Sequence, residues 1–171
     1  YFEFYSQSLS SVWRAETVDM ESDIKDYMLK SSDDEKAIIA DILKGFTMME
    51  TLVGDYWRDK VCKMFPHYEI IAAATSNSFF EQIHIAAYAY LNDSLGLTDY
   101  KAFLDDKPTK NKLDFYVEHE SDLVSLATFS GIGEGVSLFS AFSILLSLSS
   151  NGRSKAFAQI ISWRITNTFA L

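Results

Sequence analysis

Apolar residues recur at helical spacing along most of the chain. From Asp33-Asp34-Glu35, acids suited to the positive end of a helix dipole, to about Phe65 they stand at Ile38, Ile42, Phe46, Met49, Val53, Trp57 and Val61. This pattern predicts one long helix, and a second from about Tyr68 to Asn92. A short element at 6–12 and the polar segment Trp13 to Asp19 precede them. Asp93 to Lys112 contains Gly96, Pro108 and most of the local turn chemistry, so it reads as a connection with at most one short helix. Further helices are expected over Leu113–Phe129, Ile132–Leu148 and from Arg153 to the end. Ser149-Ser150-Asn151-Gly152 is the clearest turn. The predicted architecture is an all-α bundle.

Composition supports that reading. Seven glycines and two prolines in 171 residues favour long uninterrupted helices, and 48% apolar residues suffice for a substantial core. The length suits a single domain. Fifteen Lys and Arg against twenty-four Asp and Glu give a net charge of −9, which argues against direct nucleic-acid binding, since phosphate contacts need clustered cations. Cys62 is the single cysteine. It excludes an internal disulfide framework and a Cys-rich zinc site, and it fits a reducing, cytoplasmic setting. The chain begins with Tyr1 rather than Met, so a trimmed or omitted N-terminus is expected, and no signal-peptide pattern appears. Gly131 to Leu148 carries one charge, Glu134, and approaches the length of a membrane span. Its serines Ser137, Ser140, Ser143 and Ser147 fall nearly on one side and no Lys/Arg cluster flanks it, so a buried central helix is the better expectation.

The informative residues are acids inside apolar helix faces. Glu50 sits in Phe46-Thr-Met-Met-Glu50-Thr-Leu-Val53, Glu134 in Ile132-Gly-Glu134-Gly-Val136, and Glu81 after Phe79-Phe80. An ionised carboxylate is very costly to bury without a partner, so acids on three helices point to a shared cation, or to partners the sequence does not reveal. Glu81 and His84 stand at i and i+3 and project from one helix face. That Glu-x-x-His unit is the element from which carboxylate-bridged dimetal sites in helical bundles are built. Each acid alone also reads blandly: Glu50 as an exposed helix residue, Glu134 as a surface kink between Gly133 and Gly135. His119, in Glu118-His119-Glu120, reads as part of a solvated face.

These motifs resemble a known family. Val12-Trp13-Arg-Ala-Glu-Thr-Val-Asp19-Met20 is similar to the opening motif of class I ribonucleotide reductase small subunits, ferritin-like proteins with a dimetal cofactor. Glu81-Gln-Ile-His84-Ile-Ala-Ala-Tyr88 resembles the family's first Glu-x-x-His, followed four residues later by its radical-bearing tyrosine. The family's first ligand falls 31 residues before Glu81, at Glu50, where most members have Asp. Its third-helix glutamate matches Glu134, and Ala158-Gln-Ile-Ile-Ser-Trp163 resembles the lead-in to the last ligand pair. The resemblance implies a single ferritin-like domain over 1–171, incomplete at both ends, with a dimetal-carboxylate site. It implies metal ligands Glu50, Glu81, His84 and Glu134, and two iron or manganese ions or a mixed pair. Tyr88 would store an oxidising equivalent within a shell of Phe79, Phe80, Leu138, Phe139 and Phe142, and Trp13 would begin its transfer. The implied partners are a second copy, forming a homodimer, and a large subunit that reduces ribonucleotides to deoxyribonucleotides.

The resemblance breaks near the end. The family's second Glu-x-x-His falls at Thr168 and Leu171, with Asn167 in place of the preceding acid. Neither Thr168 nor Leu171 can replace a carboxylate and an imidazole. Either half of the second metal position is lost, leaving one ion or none, or the sequence skips residues after Trp163. The alternatives are a ferritin-like metal-binding protein without radical chemistry, and a degenerate, metal-poor structural small subunit.

Overall fold

A computed structural model describes residues 2–99, 105–118 and 123–169. Within those spans some side chains, including those of Glu134, Asn167 and Thr168, lie outside the description, as do His119 and Leu171 altogether. The elements are α1 (Phe2–Leu9), a 3-10 turn (Ala15–Thr17), α2 (Glu21–Lys30), α3 (Asp33–Asp55), a π-helical turn (Tyr56–Val61), α4 (Cys62–Met64), α5 (Tyr68–Leu95), α6 (Lys107–Glu118), α7 (Leu123–Ile132), a second π-helical turn (Gly133–Ser137), α8 (Leu138–Ser150) and α9 (Lys155–Phe169). Every regular element among the described residues is helical, as the hydrophobic pattern predicts.

Helix α3 starts on a capping box. The Ser32 hydroxyl accepts from the Glu35 N–H at 3.2 Å, and the Glu35 carboxylate accepts from the Ser32 N–H at 3.0 Å. Its buried stripe is Ile39, Leu43, Phe46, Met49, Glu50 and Val53. The expected Ile38 is instead exposed, because the stripe that faces α5 is centred one residue later. Helices α3 and α5 pack along each other. Asn92 ties them, donating to the Tyr88 carbonyl at 2.8 Å and to the Thr47 hydroxyl at 3.4 Å. Further along, the Ser78 hydroxyl donates to the Gly54 carbonyl at 3.1 Å. A side chain at Gly54 would meet the Glu81 Cβ at 3.4 Å, so glycine allows the close approach that brings Glu81 up to α3. Helix α5 runs slightly past the expected Asn92 and stops at Gly96, whose φ of 73° favours glycine.

Two expectations are corrected, and one helix falls where the sequence pattern assigned none. That helix is α2, which buries only Asp23 and Tyr27 and so shows little apolar periodicity. The helix expected over Leu113–Phe129 is described as α6 and α7, and α6 begins at Lys107 with Pro108 in its first turn, where a missing N–H costs nothing. Helix α8 is half-buried rather than central. Leu138, Phe142 and Leu145 face the core, while the Ser140, Ser143 and Ser147 hydroxyls on the exposed side donate back to carbonyls at 2.8, 2.7 and 2.6 Å. No helix among the described residues is long and apolar enough to cross a membrane.

Helix α9 follows the predicted turn, where Gly152 at φ 78° reverses the chain. Polar contacts from α2 and α3 hold its start. The buried Asp23 carboxylate accepts from the Phe157 N–H at 3.0 Å, capping the helix from another element. Arg153 donates to Glu35 at 2.6 Å and to the Lys30 carbonyl at 3.3 Å. The buried stripe that follows is Phe157, Ile160, Ile161 and Arg164, at i, i+3, i+4 and i+7. Helical periodicity thus carries an arginine into the core.

Candidate metal centre

Glu50 from α3, Glu81 and His84 from α5, and Arg164 from α9 meet in the interior, each no more than 5% exposed. His84 Nδ1 lies 2.8 Å from Glu81 Oε2 and 3.9 Å from Glu50 Oε2. One candidate ligand atom from each of Glu50, Glu81 and His84 lies within 4.8 Å of the others. Arg164 grips Glu50 with a two-pronged fork: Nε donates to Oε1 at 3.0 Å and Nη2 to Oε2 at 3.1 Å. Its Nη2 also approaches Glu81 Oε2 at 3.9 Å. The guanidinium lies 5.8 Å from the centroid of the Phe142 ring, which in turn packs on Phe46.

Burial pushes the Glu50 carboxyl above the ordinary glutamate range; Arg164 pulls it back, and the neighbouring Glu81 pushes it up again. Burial also works against the charge on Arg164, but Glu50 and Glu81 more than offset it, so the guanidinium stays charged. Glu50, Glu81, His84 and Arg164 thus form one interacting group, in which burial favours the protonated form of Glu50 and a bound cation would favour its ionised form.

Tyr88, one helical turn past His84, is buried with its ring 4.8 Å from that of Phe46. Burial, then the Glu50 carboxylate, raises the phenol well above its ordinary range, so it is protonated at rest. Its hydroxyl makes no hydrogen bond among the described residues, although Arg164 is near enough to favour its ionisation. Trp13 is half-buried and its ring stacks on His84 with centroids 6.0 Å apart. Trp163 packs on the other indole at 5.3 Å.

Of the residues singled out by sequence, Glu50, Glu81, His84, Tyr88 and Trp13 thus come together. Glu134 falls in the second π-helical turn, and its side chain, like those of Thr168 and Leu171, lies outside the described residues. In the expected aromatic shell, Phe80, Leu138 and Phe142 are buried and Phe139 is partly so, but Phe79 is 50% exposed and turns outward. It lies at the edge of the face of α5 that carries Phe80, Glu81 and His84 inward. Arg164 was missed. The signal that could have found it is the apolar line Phe157, Ile160 and Ile161, which Arg164 extends by one helical step.

Glu50, Glu81 and His84 form a donor set of a kind that can hold a metal ion. Carboxylate and imidazole ligands suit iron or manganese. The side chains of Thr168 and Leu171, where the sequence leads one to expect the last ligand pair, and that of Glu134 lie outside the described residues, while Arg164, one helical turn before Thr168, brings a guanidinium to the same cluster.

The family "Ribonucleotide reductase, small chain" matches residues 1–167. Among curated proteins, "Probable ribonucleoside-diphosphate reductase small subunit 376L" of Invertebrate iridescent virus 6 is 29% identical over 192 residues, spanning 98% of this chain and 53% of that protein. The chain therefore covers about half the length of this relative. Among solved structures, the ribonucleotide reductase R2 subunit of Clostridium botulinum aligns with a TM-score of 0.89 at 18% identity, over 98% of this chain and 57% of the other. The dimanganese(II)-NrdF of Streptococcus sanguinis gives 0.90 at 18% identity, over 98% and 62%. These two likenesses establish the ferritin-like helical fold. With a family match over nearly its whole length, the chain belongs to the ribonucleotide reductase small-chain family.

Proposed function

We propose that this chain is the radical-generating part of a ribonucleoside-diphosphate reductase. In this reading Tyr88 stores an oxidising equivalent made at a metal site built on Glu50, Glu81 and His84, with Glu134 as a further ligand. The observation that carries it is a cluster of two carboxyl groups and an imidazole buried beside a phenol. Iron, manganese or a mixed pair would supply one-electron oxidation there on meeting an oxidant. The chain's own residues do the rest. Glu50, Glu81 and His84 hold hard cations away from water. Tyr88 begins as a neutral phenol and must give up its proton on oxidation; Glu50 and Glu81 are the carboxylates that act on it. Phe46 and Phe142 line the interior around the ring and the cluster, keeping solvent from the stored radical. Trp13, stacked on His84 and reaching toward the surface, would pass the oxidising equivalent to a cysteine of the large subunit. Exposed Met64, Phe65, Tyr68 and Ile71 around the start of α5 offer apolar surface for a second copy in a homodimer. A cytoplasmic setting belongs to the same reading.

The test is electron paramagnetic resonance on protein loaded with iron(II) or manganese(II) and exposed to oxidant. The wild type should show a tyrosyl radical that Tyr88→Phe abolishes, with metal content and helicity unchanged. A signal that survives the substitution overturns the role of Tyr88. One observation favours a second reading, a metal-poor structural small subunit: Arg164 neutralises Glu50 without any metal. That reading expects no radical and no bound ion in the wild type.

A further inference from the structure

We propose that the Arg164 guanidinium is a resident counter-cation that stands in for one of two metal ions, so that the centre takes a single divalent cation. This rests on the reading of the cluster as a metal site. Its basis is charge and geometry. Arg164 is 1% exposed and cannot lose its proton at any ordinary pH, so its charge is a permanent part of the interior. Its fork uses one acceptor direction on each Glu50 oxygen. A carboxylate oxygen has two lone pairs, so Glu50 Oε2 keeps a direction available beside His84 Nδ1, 3.9 Å away. One ion can therefore be held by Glu50, Glu81 and His84 while the fork stays closed, taking the place of the 2.8 Å hydrogen bond between His84 Nδ1 and Glu81.

A pair of divalent ions is a different matter. Together with the guanidinium it would set five positive charges against Glu50, Glu81 and the one further carboxylate, Glu134, that the proposed site includes, in an interior that screens repulsion poorly. The side chain has no easy way out either. Arg164 continues the Phe157, Ile160 and Ile161 stripe, and its guanidinium lies against the Phe142 ring. Asp23 and the Arg153–Glu35 pair fix the start of α9, holding the helix in that register. In Arg164→Gln the buried Glu50 carboxylate would lose its partner, and an added metal ion would become its main source of compensation.

The experiment compares manganese(II) binding by the wild-type chain, Arg164→Gln and Arg164→Lys, followed by titration calorimetry and by the manganese resonance spectrum. The wild type should bind one ion with the spectrum of an isolated manganese(II), and Arg164→Lys should resemble it. Arg164→Gln should bind manganese more tightly by on the order of tenfold or more, and its melting temperature in chelator should fall by roughly 5–10 °C and recover on adding manganese. Should Arg164→Gln fail to fold, the double variant Glu50→Gln/Arg164→Gln decides. Recovery of folding without metal supports a charge role, and continued failure overturns it in favour of packing alone. An exchange-coupled pair of ions in the wild type, or unchanged affinity in Arg164→Gln, also overturns the proposal while leaving the metal site standing. If neither wild type nor Arg164→Gln binds manganese, the metal-site reading fails and takes this inference with it.

Discussion

The two sides of the centre are built by different means. On one side, α3 and α5 lie against each other with apolar stripes, and Glu50, Glu81 and His84 are carried inward by those stripes as members of them. On the other, α9 is fixed by polar contacts at its first turn, from Asp23 and from the Arg153–Glu35 pair, and delivers a cation. The first side gathers two carboxyl groups and an imidazole. The second sets a guanidinium against them. The same buried carboxylate, Glu50, therefore serves both a candidate metal position and an ion pair.

The largest test of this division is Glu50→Ala. It leaves Arg164 buried without its principal partner and should lower stability by ~3–5 kcal/mol. Urea unfolding measures it, and a loss below ~1 kcal/mol, the range of exposed ion pairs, would mean that the fork is open to solvent.

Asp23→Ala should have a smaller effect, ~0.5–2 kcal/mol, the range for a lost helix cap. Its signature is local. Amide exchange should speed up in α9 well before α5, because α5 does not depend on that cap. Equal acceleration in both helices would erase the distinction between the two sides.

The smallest effect concerns acid. Arg153, then the Ser32 N–H, holds the Glu35 carboxyl below its ordinary value of 4.5. A carboxyl depressed in the folded state adds stability above its unfolded value and loses it as the pH falls through the folded one. Wild type should thus show a slight loss of stability below pH 4.5 that Glu35→Gln lacks. Melting curves at stepped pH would show it, and identical acid profiles would remove this tether from the account.

Legibility in the sequence follows the same division. Glu50, Glu81 and His84 stood out because an acid in an apolar stripe breaks the pattern it sits in, and Tyr88 because it lies one helical turn beyond His84. The long helices α3 and α5 were readable from periodicity almost to their ends. Helix α2 was not, since it buries little beyond Asp23 and Tyr27 and gives no apolar rhythm. Arg164 was hidden for a related reason. An arginine between Trp163 and Ile165 reads as a surface residue unless the stripe from Phe157 is followed through it. The sequence did state the need it meets: buried acids require a cation, and helix geometry decided which residue supplies it.

The most direct measurement is anomalous diffraction at the manganese edge from crystals soaked in manganese(II). The account predicts one peak bounded by Glu50, Glu81 and His84, with the Arg164 fork still closed on Glu50. Two peaks with Arg164 turned away, or no peak among these three side chains, would contradict it.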